Sequence, residues 1–196
     1  MRTAVTLLLA LSWAACVHGA DFQGIPGCEK PSTRVVDKTT CHLYEKYAVL
    51  TQSARDNAGS DIIVNRNQQD SKACAWDEKA ALLLLKNTDA DYFFGLLGKL
   101  IFVDSGTGPS PRTLKIYDIE KSTAVYNGLY NESITIKNGK LSYWAATAKQ
   151  ATKENCPQLA QWSSQGLGAA LEEKIFVELS SLKSGKTGKS RCSARQ

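Results

Sequence analysis

Between residues 92 and 144 the chain consists of short apolar or alternating segments separated by turn residues. Such segments, repeated about every eight to twelve residues, are typical of an antiparallel meander. The clearest hairpin joins residues 134–136 to residues 141–144 through Asn138-Gly139, because Asn and Gly accept the positive φ angles of a type I′ turn. We therefore predict a mainly β (β-rich α+β) fold, in which the meander forms a sandwich, a barrel or a propeller-like sheet.

The N-terminal side of this region is less regular. Residues 21–46 are rich in Gly, Pro, Ser and Thr and contain two cysteines, which predicts an irregular segment pinned by a disulfide. Residues 47–50 are apolar, and residues 60–66 contain the β-branched run 62–64, so both segments are typical of strands. The apolar run at residues 80–85 is compatible with a helix or a strand, and its lack of 3.6-residue spacing favours a buried strand.

The C-terminal side predicts one or two short helices and a hairpin. Pro157 suits the first turn of a helix that would extend to residue 162, and residues 168–174 are a candidate for a second helical turn. Residues 175–182 are typical of a strand against which residues 189–195 return. We therefore expect a basic hairpin and tail over residues 183–196.

Residues 1–20 have the three parts of a secretory signal peptide. Arg2 is the positive charge, residues 3–15 form an uncharged and mostly apolar run, and Gly19 and Ala20 are small residues at the expected cleavage point. The run is shorter than the roughly 20 apolar residues that a membrane-spanning helix needs. We therefore expect an exported, most plausibly periplasmic protein, in which one β-rich domain spans residues 21–196.

Lipidation is a second outcome for the same segment. Ala14-Ala15-Cys16 resembles the end of a bacterial lipoprotein box, in which Cys16 would become the acylated first residue. Trp13 stands where that box has an aliphatic residue. An acyl chain at Cys16 would anchor the protein to a membrane without spanning it.

The cysteine count after export is odd. Removal of residues 1–20 leaves Cys28, Cys41, Cys74, Cys156 and Cys192, so at least one thiol is free or pairs between chains. Export permits disulfides, and we expect Cys28–Cys41 and Cys156–Cys192, with Cys74 as a buried free thiol. Sequence alone does not determine this connectivity. The spacing matches no zinc site, and we expect no metal and no cofactor.

The formal charge of +5 is concentrated near the C-terminus. No aromatic residue lies among these basic residues, whereas nucleic-acid sites commonly interleave the two types. We therefore expect a solvated basic tail and no nucleic-acid partner. The basic residues concerned are Lys183, Lys186, Lys189, Arg191 and Arg195.

One short motif points to a specific chemistry. Residues 104–107 read Asp-Ser-Gly-Thr and follow the apolar segment 100–103, which resembles the signature of aspartic proteases. That family needs two aspartates that share one proton, so the resemblance implies a homodimer with Asp104 from each subunit. Pro109 and Pro111 depart from the family pattern. The alternative is a strand that ends in a Gly/Pro loop, with Asp104 bonded to backbone amides.

Other hydrolytic chemistry is poorly represented. His42 is the one histidine after residue 20 and it lies beside Cys41, so the two side chains would point to opposite sides of an extended chain. No G-x-S-x-G motif is present. These absences favour a binding protein over an enzyme.

The leading hypothesis is therefore an exported, non-enzymatic binding protein. It would present loops or a sheet edge to a protein partner, for example as an inhibitor or immunity-type protein that acts on a cell-envelope component. The alternatives are an aspartic-peptidase-like enzyme that uses Asp104 in a homodimer, and a structural or lipid-anchored envelope component. A membrane contact is expected only through acylation of Cys16.

Overall fold

The computed structural model describes residues 24–54, 57–67, 71–108 and 111–195. The predicted signal segment, with Cys16, lies outside the described residues. Strands dominate the described chain, and there is one short α-helix. The elements are β1 (Ser32–Val36), β2 (Thr39–Leu43), β3 (Tyr47–Ser53), β4 (Ser60–Arg66), a 3₁₀ turn (Ser71–Cys74), β5 (Leu83–Leu85), β6 (Asp91–Leu97), β7 (Leu100–Ser105), β8 (Arg112–Asp118), β9 (Thr123–Lys137), β10 (Lys140–Ala146), α1 (Leu159–Ser164), β11 (Gly168–Glu178) and β12 (Ser184–Arg195).

The strands form two antiparallel sheets. The first has the order β1-β2-β3-β4-β5 and the second the order β12-β11-β10-β9-β8-β7-β6. Within each sheet, every strand pairs with its neighbours in the chain, so both sheets are meanders. The prediction of a mainly β fold with a short helix near the C-terminus is confirmed, and of the three predicted architectures the sandwich agrees with the two sheets.

The core between the sheets is built from β-branched and leucine side chains. Val49, Ile62 and Val64 of the first sheet pack against Ile101 and Val103 of the second, and all five are fully buried. Alternation along each strand sends every second side chain to this interface. The predicted strands at residues 47–50 and 60–66 therefore contribute the centre of the sandwich.

A second core lies on the opposite face of the seven-stranded sheet. Phe102 and Leu114 belong to the same buried cluster as Leu141 and Val177, although they come from strands far apart in the sheet. This contact requires the sheet to curl around its own inner face. β9 allows the curl because its first half, to Tyr130, pairs with β8, while its second half pairs with β10 across a register irregularity.

The segment 24–29 seals this second core. The amides of Ile25 and Glu29 donate to β6 at 3.0 and 2.9 Å, and the carbonyl of Pro26 accepts from the amide of Ile136 in β9 at 2.8 Å. Gly27 has a φ of +99°, and a side chain there would collide with the carbonyl of Ile136. The chain can therefore cross from β6 to β9 at this point only because residue 27 is glycine.

The expected irregular structure of residues 21–46 is wrong for residues 32–36 and 39–43, which form β1 and β2. β1 and β2 form a hairpin whose turn places Asp37 at a φ of 53°. Thr39 and Cys41 are buried together with His42, so β2 is an interior strand of the first sheet. Because the segment is rich in turn-forming residues, its composition did not indicate β2. This strand is stabilised by its burial and by pairing with β1 and β3.

One predicted disulfide is confirmed and the other is wrong. Cys156 and Cys192 are bonded, with their Cα atoms 5.4 Å apart. Cys41 bonds Cys74, not Cys28, with a Cα separation of 5.6 Å, and Cys28 is the free thiol of the described residues. The physical reason is that Cys41 and Cys74 share a small buried cluster on the first sheet, whereas Cys28 lies in the segment that packs on β6.

The C-terminal predictions are partly correct. α1 begins two residues after the predicted start at Pro157 and ends at Ser164. Residues 168–174 are not helical, because they form the first half of β11 and pair along β10 and β12. β12 already begins at Ser184, so the hairpin turn lies before it. Residues 83–85 form the short strand β5, as the apolar run indicated.

Candidate functional site

Asp104, the residue of the protease-like motif, lies near the end of β7. Arg112 Nε donates to both of its carboxylate oxygens, at 2.7 and 2.8 Å. The hydroxyl of Tyr130 donates to Oδ1 at 2.7 Å. The hydrogen bonds that Arg112 donates to Asp104 raise the pKa of Arg112 above its ordinary value, so this guanidinium is a permanent cation beside the carboxylate.

This arrangement suits a structural ion pair better than a proteolytic carboxyl group. An aspartic-protease aspartate shares a proton with a second carboxyl group and holds a water molecule. The Asp104 side chain is only 13% exposed, and its oxygens already accept bonds from Arg112 and Tyr130. A peptidase role for a homodimer stays a prediction that nothing in this geometry favours.

A second polar cluster lies on the opposite face of the same strands. Ser105 donates from Oγ to Asp91, and Lys115 Nζ donates to Asp91 and Asp89 at 3.0 Å each. Burial opposes a charge on Lys115, but its bonds to the two carboxylates raise its pKa overall. An ammonium group cannot remove the proton of Ser105, so the cluster is not a serine–lysine catalytic pair.

The third arrangement is a half-buried surface on the outer side of β10, β11 and β12. The opposite sides of β10 and β11 carry core residues such as Leu141 and Val177. The outer side carries alternating basic and aromatic side chains in cation–π contacts. We call it the basic aromatic face, and its residues are Lys140, Trp144, Lys174, Phe176, Arg191 and Arg195.

Two basic side chains share the ring of Trp144. The guanidinium carbon of Arg191 lies 4.5 Å from the ring centre, and Nζ of Lys174 lies 5.8 Å from it. Lys140 Nζ lies 5.3 Å from the centre of the Phe176 ring. The strand register explains these contacts, because Trp144 pairs with Lys174 and Phe176 with Ser142. Such contacts hold the cations in position over the ring faces.

The buried carboxylate of Glu172 holds the two arginines of the basic aromatic face in position. Glu172 is fully buried and accepts hydrogen bonds from Arg191 Nε at 2.6 Å and Ser193 Oγ at 2.8 Å. Arg195 also forms an ion pair with it. Asn131 donates to it at 2.9 Å from β9. The network ties β12 to β11 and sets the positions of both arginines.

The charge of the chain is concentrated in the same region. Residues 140–196 contain nine Lys and Arg, four Glu and no Asp, so their net charge of +5 equals that of the whole chain. The basic tail is visible in the sequence, but no aromatic residue lies beside it there. The aromatic residues come from β10 and β11, and only the strand register brings them next to β12. In the sequence, the one indication of this face was that Trp144 and Phe176 alternate with core residues.

The chain contains an N-glycosylation sequon whose asparagine is buried. Asn131-Glu132-Ser133 has the acceptor pattern, which normally marks a surface loop. Asn131 is 1% exposed, and its Nδ2 is bonded to Glu172. A glycan cannot be attached to this amide in the folded protein.

No group of three or more His, Cys, Asp or Glu side chains in the part of the chain that the structure describes is arranged to hold a metal ion. Within the same residues, no helix is long and apolar enough to cross a membrane.

Comparison with known proteins gave no relative. No family model, no curated protein and no solved structure matches the chain.

Proposed function

We propose that this is an exported, non-enzymatic binding protein that holds an acidic protein partner on the basic aromatic face. The observation that carries the proposal is the arrangement of Lys174 and Arg191 around Trp144 on the outer side of the sheet. An inhibitor or immunity-type protein that acts on a periplasmic cell-envelope component is its most concrete form.

The chemistry of the face favours an anionic partner over a neutral one. The rings of Trp144 and Phe176 are already contacted by cations of the same chain, so they offer little bare surface for a sugar ring to stack on. Positive side chains at the rim of an interface raise the association rate with an acidic partner and repel a basic one.

The scaffold is compatible with export. Two disulfides connect distant parts of the chain, one in each sheet, and such bonds persist in oxidising compartments. The polar groups with catalytic potential, Asp104 and Ser105, are bonded to side chains of their own chain. A rigid scaffold with internally paired polar groups supports recognition more readily than catalysis.

The test is a charge reversal on the face. Lys140→Glu with Lys174→Glu changes the charge of the face by four units, and Lys30→Glu with Lys38→Glu makes the same change near β1. We expect the immobilised first variant to retain at least about tenfold less partner from envelope extract than immobilised wild-type protein does. The second variant retains the wild-type amount. Equal retention by both variants, or no specific partner for the wild type, contradicts the proposal.

A further inference from the structure

The last strand of the seven-stranded sheet is a free edge, interrupted by a register irregularity at residues 187–189. β12 contains 12 residues, and its outer side pairs with no other strand of the described residues. The remaining sheet edges differ. β5 has three residues and β1 has five, and the edge of β6 is covered by backbone bonds from Ile25 and Glu29.

The composition of β12 restricts what could pair with it. The strand reads Ser-Gly-Lys-Thr-Gly-Lys-Ser-Arg-Cys-Ser-Ala-Arg, with four basic residues, no acidic residue and no proline. Edge lysines commonly prevent sheets from aggregating, so the charges exclude a second copy of β12. They do not exclude a strand of opposite charge. Lys186, Arg191 and Arg195 pair with Glu172 and Glu173 of β11, and the four basic residues exceed these two acids by two positive charges, which attract such a strand.

A small cavity with hydrogen-bond donors lies between the loop after β10 and strands β11 and β12. It has a volume of about 280 Å³, and its lining includes Thr147, Lys149, Asn155, Ser190 and Arg191. The cavity also touches Glu172 and Glu173, but their charges are compensated, by Arg191 and Arg195 for the first and by Lys186 for the second. A carboxylate that enters the cavity would therefore meet Lys149 without an unpaired acid beside it.

We infer that the partner contributes an extended acidic segment, which adds to β12 as a further strand and places a carboxylate in this cavity. Main-chain hydrogen bonds to the free edge would supply affinity, and alternate side chains would supply specificity. The inference rests on the proposed function and names the part of the partner that is recognised.

The probe is a ten-residue peptide of alternating Glu and Thr, with a matched Lys and Thr peptide and an N-methylated Glu and Thr peptide as controls. Amide hydrogen exchange of the full mature protein is measured with each peptide at millimolar concentration. We expect the acidic peptide alone to slow exchange along β12 and to lose this effect in high salt. Unchanged exchange of the β12 amides overturns the inference.

Two variants test the cavity. Lys149→Ala removes the cationic side chain of the cavity, and Lys153→Ala removes one from the same loop outside it. We expect the first to weaken peptide binding about threefold to fivefold and the second to leave it unchanged. Equal effects of the two variants overturn the placement of the carboxylate.

The inference and the proposed function fail in different ways. If the inference alone is wrong, Lys140→Glu with Lys174→Glu still abolishes partner retention, but the partner does not protect the β12 amides. If the proposed function is wrong, wild-type protein retains no specific envelope partner. A sulfated polysaccharide that binds the face tightly while the acidic peptide does not would also overturn the inference, in favour of a polyanion ligand.

Discussion

Nδ2 of Asn131 donates a hydrogen bond of 2.9 Å to Oε1 of Glu172, and both side chains are buried. The bond joins the second half of β9 to β11 across the intervening β10. Glu172 also accepts bonds from Arg191 and Ser193 of β12. One carboxylate therefore connects three strands, and it orders the arginines that belong to the proposed binding surface.

Replacement of Glu172 by Ala should be strongly destabilising. The change leaves Arg191 and Arg195 without the carboxylate that compensates their charge, and breaking a buried ion pair from one side costs about 3 kcal/mol or more. We expect a loss of this size in the free energy of unfolding, measured by urea denaturation. Glu178→Ala on the same strand, which removes a half-buried pair with Lys140, should cost no more than about 1 kcal/mol. Equal losses contradict the role of Glu172.

Replacement of Asp104 by Asn tests the ion pair with Arg112. Because the wild-type carboxylate accepts bonds from Arg112 and Tyr130, the neutral amide should lower the free energy of unfolding by about 2 kcal/mol. We expect no proteolytic activity at acid pH in the wild type and unchanged partner retention in the variant. Acid proteolysis that disappears with Asp104→Asn in a folded protein would instead support the peptidase alternative.

The fold was more predictable than the site. The hairpin around Asn138-Gly139 was predicted because Asn and Gly accept positive φ angles. The structure shows φ angles of 52° and 71° at these residues. The pairing of Cys41 with Cys74 did not follow from the sequence, because it depends on β2 lying in the interior of the first sheet. The contact between Trp144 and Arg191 could not be predicted from the sequence either, because the two residues lie on strands separated by β11. Local turn chemistry is readable in a sequence, whereas contacts across strands depend on register.

The free thiol provides a chemical test of the fold. Burial, with a contribution from Glu29, raises the pKa of Cys28 to about 12, so the reactive thiolate is scarce at pH 8. We expect iodoacetamide to modify the native protein at least about 100-fold more slowly than the urea-unfolded protein, as measured by intact mass. A non-reduced digest should give the linked pairs Cys41–Cys74 and Cys156–Cys192. Rapid native alkylation, or a bond that involves Cys28, contradicts the structure.

His42 should make the stability of the protein depend on pH. It is 6% exposed, its ring centre lies 5.0 Å from that of Phe93, and its Nδ1 lies 3.1 Å from the hydroxyl of Thr33. Burial lowers the pKa of His42 from 6.5 to about 4, since the folded environment disfavours the imidazolium. The neutral ring therefore contributes its full share of stability above pH 6.5, and this share is lost as the pH falls towards 4.

The size of that loss follows from the shift. A folded-state pKa more than two units below the unfolded value corresponds to about 3 kcal/mol between pH 7 and pH 4. Carboxylates also titrate in this range, so the informative quantity is the difference between wild type and His42→Gln in urea denaturation at each pH. We expect the stability advantage of the wild type to shrink by up to about 3 kcal/mol as the pH falls, because the variant has no imidazole to protonate. An NMR titration of the His42 ring in the folded protein should have its midpoint near pH 4, and a midpoint above pH 6 would show that the ring is not held in the apolar contact between the sheets.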